Sequence, residues 1–508
     1  MIPVQRVLCL LAVAFAVFVC GCQQPAAPYS DIHPYRSMPF QESSIDLAQY
    51  KPVQNRLGSQ DPNLAVAIAI SGGGHRATNF AVGVLLELES IRNKLSANAN
   101  ALSEIDYFST VSGGGLAAAA YISSLRDHIY FSSLKNQVVP EYSFSNVIDN
   151  LAGCGAETIN QTDYVTDPCL KGHLERGYHE DILDGMLSFS KNTRGEYLEL
   201  AFDNEILGSK WRRAKLDSII EDTSSDASLK LGDIFVDSRD LRPVTLPYWL
   251  ANATVYKNGA IFPFSPDNLK FYNICGYKHR LKEYNFDPNE QSYKEFIENV
   301  PLALGLTASG NFPVLIPATT LKSDMDADYP YLHLLDGGMA DNLGFITALR
   351  LLGGDTRAKR RVLFVVDAYK GNFTPFSDNI KPPLMSNAAL RAMDISLDSW
   401  RGRYRELVRA LCSSNSYGPD IKTVFVSFDD LKELNGFDEL IEFGFSVDDL
   451  NQLKADGLMD NITPTPFNLV RTVKTQFNLT PAQQSLLFAA GRYVINKKRD
   501  QIIQSLSW

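Results

Sequence analysis

The chain has 508 residues, roughly two to three domain lengths, with 48 basic against 58 acidic residues and a net charge of −10. No basic cluster or stripe is present, which excludes a nucleic-acid binder, and the acidic balance excludes electrostatic attraction of the body to an anionic membrane. With 45% hydrophobic residues there is enough apolar material for one large core with additions.

The N-terminus opens with Arg6 and an apolar run from Val7 to Val19, too short to span a bilayer and the right length for the hydrophobic region of a signal peptide. It ends in Val19-Cys20-Gly21-Cys22, which resembles the bacterial lipobox. Cys22 fits as the lipid-bearing cysteine; Cys20 does not, because Val19 would fall where a small residue is needed. The alternative is an ordinary cleaved signal peptide with two incidental cysteines. The expectation is a signal peptide over 1–21, then a lipidated, proline-punctuated tether over 22–60. That makes an exported bacterial lipoprotein held to the membrane by its N-terminal lipid, and Gln23 after the cysteine favours the outer membrane. In an oxidising compartment Cys154, Cys169, Cys275 and Cys412 allow two disulfides in three connectivities. Cys154 and Cys169 flank one polar stretch and are the favoured pair; their spacing lacks the close CxxC pairs of a zinc site, so no metal is expected.

Leu64–Ile70 is a continuous apolar run, the signal of a buried strand. Ser71-Gly72-Gly73-Gly74 breaks it, and a helix follows with Phe80, Val84, Leu85 and Leu88 on one face. The pattern then repeats: a strand over Ile105–Val111, the loop Ser112-Gly113-Gly114-Gly115, and an alanine-rich helix over Leu116–Leu125. Residues 126–240 carry weak periodicity and read as an insertion or cap. Further strands are expected at Leu246–Val255, Tyr331–Leu335, Val362–Asp367 and Lys422–Phe428, and helices at Gly344–Leu352, Ala388–Leu411 and Pro481–Ile495. Strands alternating with helices imply an α/β fold with a central, mostly parallel sheet.

Three short segments carry chemistry. A strand turning sharply into a helix presents one side chain at its tip, and the G-x-S-x-G elbow encodes that turn. Thr110-Val111-Ser112-Gly113-Gly114 matches it except that Thr110 stands at the first glycine; a serine N-cap is the competing reading. In Gly72-Gly73-Gly74-His75-Arg76, backbone N–H groups can converge on an oxyanion at a helix N-terminus. The same stretch through Ala77 satisfies the dinucleotide fingerprint, with Glu87 or Glu89 as a loosely placed ribose acid, although an exported protein meets little NAD. Asp336-Gly337-Gly338 closes an apolar strand and offers either a turn or a general base. His75 and His333 read as structural; three residues before Asp336 on a strand, His333 faces the other way.

In order and together, these segments resemble the patatin-like phospholipases: a glycine-rich oxyanion loop with a basic residue (Gly72, Gly73, Gly74, Arg76), a serine elbow (Ser112, Gly113, Gly114) and a DG box (Asp336, Gly337, Gly338). Trp249–Thr254, Leu306–Pro317, Asp341–Gly344 and Thr472–Val494 are similar to further blocks of that family, the last to its bacterial lipoprotein members. Ala77 stands where a glycine often follows the basic residue of the loop. The resemblance implies a three-layer α/β/α domain over 61–500, with the insertion at about 126–240 and a helical extension over about 370–508. It further implies a Ser112–Asp336 dyad without histidine, an acyl-enzyme, a lipid or phospholipid substrate, and no cofactor or metal. The alternative is a non-catalytic envelope lipoprotein that keeps the scaffold to bind lipid or a partner.

Overall fold

The computed structural model describes residues 61–508 apart from 62, 95–98, 135–140, 150–163, 179, 182–193, 221–226, 236–245, 280–281, 314, 356–357, 372–401, 403–405, 408–420 and 461. The signal-like run, Cys20, Cys22, the tether, Cys154, Cys412 and nearly all of the expected helix 388–411 therefore lie outside the described residues. Among the described residues no helix is long and apolar enough to cross a membrane.

Ten strands of the described residues form one sheet: β1 (Leu64–Ile70), β2 (Tyr107–Thr110), β3 (Tyr248–Val255), β4 (Ile261–Phe264), β5 (Ile274–His279), β6 (Lys282–Asn285), β7 (Thr319–Ser323), β8 (Tyr331–Asp336), β9 (Arg360–Asp367) and β10 (Ile421–Ser427). The order is β10-β9-β1-β2-β3-β8-β7-β5-β6, with β4 beside β3. From β10 to β3 every pairing is parallel, and this half holds the glycine loop after β1 and the serine elbow after β2. From β3 outward the ladder is antiparallel, so Asp336 enters from a strand running against its neighbour, opposite Ala253.

The sequence of β1 shows how the layers form. Leu64, Val66, Ile68 and Ile70 point into the larger core, under the helices Gly74–Ser90, Gly113–Leu134 and Pro481–Lys497. Ala65, Ala67 and Ala69 point into the smaller core, against the Phe345–Gly354 helix. Large side chains fill the thick side and alanines let the single helix approach; each fully buried Leu, Ile or Val contributes about 1.5–3 kcal/mol. This is the three-layer α/β/α arrangement.

The Gly74–Ser90 helix is buried on nearly every side because the Pro481–Lys497 helix crosses it at backbone distance. A Cβ at Gly83 would stand 2.2 Å from the Phe488 carbonyl, and one at Gly491 would stand 2.3 Å from that of Phe80. The expected insertion does not begin at 126, because the Gly113–Leu134 helix runs through that point; beyond it the described helices up to 240 are short: Phe144–Ile148, Leu170–Glu175, Arg194–Ala201, a π-helical turn Phe202–Ile206, Ser209–Ile220 and Leu231–Phe235. A buried polar contact pins them down, with Arg212 forked onto both carboxylate oxygens of Asp127 at 2.8 Å. Asp127 lies on the Gly113–Leu134 helix, so the region is clamped to the helix that follows Ser112.

Candidate active site

The chemical segments meet at the carboxyl ends of β1 and β2, where open α/β sheets bind their ligands. Ser112 follows β2 with φ 48°, left-handed backbone that a non-glycine residue rarely adopts. That conformation is the sharp elbow, and its strain is sustained by close packing of the next glycines. A Cβ at Gly113 would lie 2.1 Å from the Gly74 carbonyl, and one at Gly114 would lie 2.6 Å from that of Ser71. The two glycine loops therefore touch, and Thr78 Oγ1 ties them by donating to the Gly113 carbonyl at 2.8 Å. Thr110 does not loosen the turn. Its hydroxyl accepts from Trp249 Nε1 at 2.9 Å, and its carbonyl accepts from Asn252 Nδ2 at 3.0 Å.

The first loop enters its helix through Gly73 (φ 146°) and Gly74 (φ 58°). The Gly72 N–H is engaged with the Asn342 carbonyl at 3.0 Å and that of His75 with the Gln476 carbonyl at 3.1 Å. Gly73 and Gly74 thus offer the N–H groups at the positive end of a 17-residue helix, beside Ser112. Arg76, the basic residue of the oxyanion loop, is buried. Its Nε and Nη1 donate to the carbonyls of Ala368 and Val473, both at 3.0 Å, which makes it a brace for the loop.

Asp336 ends β8, and its carboxylate accepts the Gly338 N–H at 2.7 Å and faces the Ser112 hydroxyl as a second hydrogen-bond donor. Burial pushes its pKa up to about 6, against the downward pull of those two donors. Asp341 is raised to about 6 by burial as well, but its oxygens accept the N–H groups of Leu343 and Ile346, so it caps the next helix. A carboxylate aimed at Ser112 separates the two.

Ser309, which the sequence offered only inside a family-like block, joins these parts. Its Oγ accepts the Ser112 N–H at 2.9 Å and donates to the Asn252 carbonyl at 2.6 Å, while its own carbonyl accepts the Gly337 N–H at 3.1 Å. The small-residue helix Leu302–Gly310 brings it there. The cleft above Ser112 is walled by His75, Leu116, Phe202, Leu306 and Phe477. These are mostly apolar surfaces, and they leave little room between them in this structure. His75 lies in that wall with burial lowering its pKa to about 4, so it is neutral and edge-on to Tyr178 at 5.6 Å. His333 bonds Thr320 Oγ1 at 2.9 Å on the exposed side of the sheet, away from Asp336.

The dinucleotide alternative loses its ribose acid: Glu89 accepts the N–H groups of Phe144 and Ser145 at 2.6 and 2.8 Å, and Glu87 bonds Ser90. Cys169 is buried at the start of the Leu170–Glu175 helix, while Cys22 and Cys154 lie outside the described residues.

A family model described as Patatin-like phospholipase matches residues 68–349, a span that contains Gly72, Ser112, Ser309 and Asp336. No curated protein matches the sequence. Among solved structures, human GIVD cytosolic phospholipase A2 is similar at 15% identity and a TM-score of 0.38, over 88% of this chain and 60% of that one. The same human protein in complex with methyl gamma-linolenyl fluorophosphonate matches at 15% identity and a TM-score of 0.35, over 88% and 59%. The chain thus spans about three fifths of the length of these structures.

Proposed function

The chain belongs to the patatin-like phospholipase family, and on that premise we propose that it is a lipid acyl hydrolase with Ser112 as nucleophile and Asp336 as its base. The observation that carries this reading is the Ser112 hydroxyl, presented on a left-handed elbow, against the buried carboxylate of Asp336. Asp336 accepts the hydroxyl proton as Ser112 Oγ attacks the acyl carbon of the ester. The oxyanion that forms is met by the N–H groups of Gly73 and Gly74 and by the helix N-terminus behind them. Asp336 returns the proton to the leaving alcohol, and an acyl-enzyme remains. A water then gives its proton to Asp336, attacks the acyl carbon and releases the fatty acid while Ser112 is reprotonated. A base raised to about 6 suits both transfers, being ionised at neutral pH yet more basic than an exposed carboxylate.

The mostly apolar walls beside Ser112 are compatible in chemistry with a lipid acyl chain, for which Phe202, Leu306 and Phe477 would have to part. We propose further that the body is held to the outer membrane by acylation of Cys22 after removal of residues 1–21, on the strength of Val19-Cys20-Gly21-Cys22. The test of the activity is a fluorophosphonate probe. One label per chain on the peptide bearing Ser112, lost in Ser112→Ala, is expected. A folded protein that takes no label would overturn the reading in favour of a lipid-binding scaffold.

A further inference from the structure

We propose that Asp167, Cys169 and His173 form a zinc site that braces the wall of the acyl cleft. The three residues follow a D-x-C-x-x-x-H spacing, and their ligand atoms all lie within 4.8 Å of one another. The local fold explains the convergence. Asp167 Oδ1 accepts the Cys169 N–H at 2.8 Å, which turns the chain into the Leu170–Glu175 helix, and the His173 N–H bonds the Cys169 carbonyl at 3.0 Å. Four positions apart on a helix, Cys169 and His173 share a face.

Two further observations point to a cation. Asp167 is 95% buried, judged from its 5% exposure, and its second oxygen has no hydrogen-bond partner among the described residues. That oxygen lies 3.5 Å from His173 Nε2. A buried carboxylate oxygen left bare costs free energy unless a cation meets it. On the other side of the ring, Glu205 Oε2 is also buried without a hydrogen bond and lies 3.8 Å from His173 Nδ1. A carboxylate behind a histidine is the arrangement that fixes a ligating imidazole, with Nδ1–H donated outward and Nε2 given to the metal. Thiolate, imidazole and carboxylate together suit Zn²⁺, with a water in the fourth position. Binding moves the Cys169 thiol proton to solvent as the S–Zn bond forms. Tetrahedral ligands stand about 3.3–3.8 Å apart at ordinary Zn–ligand lengths, so the trio closes slightly on the ion.

The ion would join two pieces of the cleft wall. Glu205 belongs to the π-helical turn that also carries Phe202, and Tyr178, whose hydroxyl donates to the His173 carbonyl at 2.9 Å, packs edge-on against both Phe202 and His75. This set has one cysteine and lacks the close CxxC pairs by which zinc sites are usually recognised. A Cys154–Cys169 disulfide would exclude it, because a cysteine in a disulfide cannot also be a thiolate ligand.

The test uses the detergent-solubilised full chain, stripped with a chelator and titrated with Co²⁺, then with Zn²⁺. One equivalent of Co²⁺ should bind, with a thiolate-to-cobalt absorption band and the visible bands of a four-coordinate ion, and Zn²⁺ should displace it. Cys169→Ser should lose the charge-transfer band. Glu205→Gln, which touches no metal, should keep the band and weaken binding about 10- to 100-fold. Absence of the band in the full chain, its persistence in Cys169→Ser, or recovery of a Cys154–Cys169 disulfide in non-reduced peptides would each overturn the proposal.

Discussion

Ser309 Oγ stands between two backbone groups, accepting the N–H of Ser112 at 2.9 Å and donating to the carbonyl of Asn252 at 2.6 Å. The side chain that holds the backbone of the proposed nucleophile is thus itself held by β3. Ser309→Ala takes this partner from the part-buried Ser112 N–H and the buried Asn252 carbonyl, the latter at about 1–3 kcal/mol, and frees the strained elbow. The expected result is kcat lowered about tenfold or more with KM nearly unchanged, because the acyl cleft is untouched. Steady-state kinetics on a short-chain ester decide it; wild-type kcat would remove Ser309 from a positioning role.

Ser112→Ala should lose probe labelling and turnover, and Asp336→Asn should lower turnover by about 10²–10⁴-fold. The two variants should differ in stability. Burial raises the Asp336 pKa from 3.8 to about 6, so the folded state holds this proton more tightly than the unfolded chain. Its contribution is therefore greatest below about pH 4 and is lost as pH rises to about 6. At pH 7.5 the wild type carries an uncompensated buried charge that Asp336→Asn removes, while the amide oxygen can still accept the Gly338 N–H. The melting temperature of Asp336→Asn should exceed wild type at pH 7.5, with the gap narrowing toward pH 4. A lower melting temperature at pH 7.5 would contradict this.

The same pKa sets the acid limb of activity. Asp336 must be ionised to take the Ser112 proton, so kcat/KM should rise with pH through about 6, level off above it, and fall about tenfold per unit well below it. Asp341 is raised to a similar value but caps a helix. Asp341→Asn keeps an amide oxygen for the cap and should leave the midpoint of the acid limb in place. A displaced midpoint in that variant would assign the limb to the wrong carboxylate.

Metabolic labelling with palmitate should mark the full chain and fail in Cys22→Ser. A chain beginning at Gln23 should hydrolyse a dispersed short-chain ester as well as the full chain but act less on bilayer lipid, since the anchor no longer concentrates it there. Label retained in Cys22→Ser would remove that residue as the anchor.

Strands β1, β2 and β8 were legible because each is a short run stopped by glycine or Asp-Gly, and chemistry sits at those stops. The outer antiparallel strands were not. β6 and β7 present mostly exposed or half-exposed side chains, so no alternation marks them. Ser112, Asp336 and the glycine loop could be found by type and spacing, whereas Ser309 is one serine in an apolar helix whose role exists only through contacts far away in sequence. The bracing contacts of Arg76 are hidden for a related reason: its partners Ala368 and Val473 are 292 and 397 residues away. Residues 126–240 gave little periodicity because their described helices are short and their packing includes buried pairs such as Arg212 with Asp127.

The crossing of the Gly74–Ser90 and Pro481–Lys497 helices has a temporal meaning. Gln476 fixes the His75 N–H, Val473 holds Arg76, and Phe477 supplies one wall of the cleft, yet all three are made more than 130 residues after Asp336. A ribosome that has already delivered Ser112 and Asp336 has therefore delivered an open, unbraced elbow. The proposed lipid-cutting site is therefore complete only once residues 473–477 have been made.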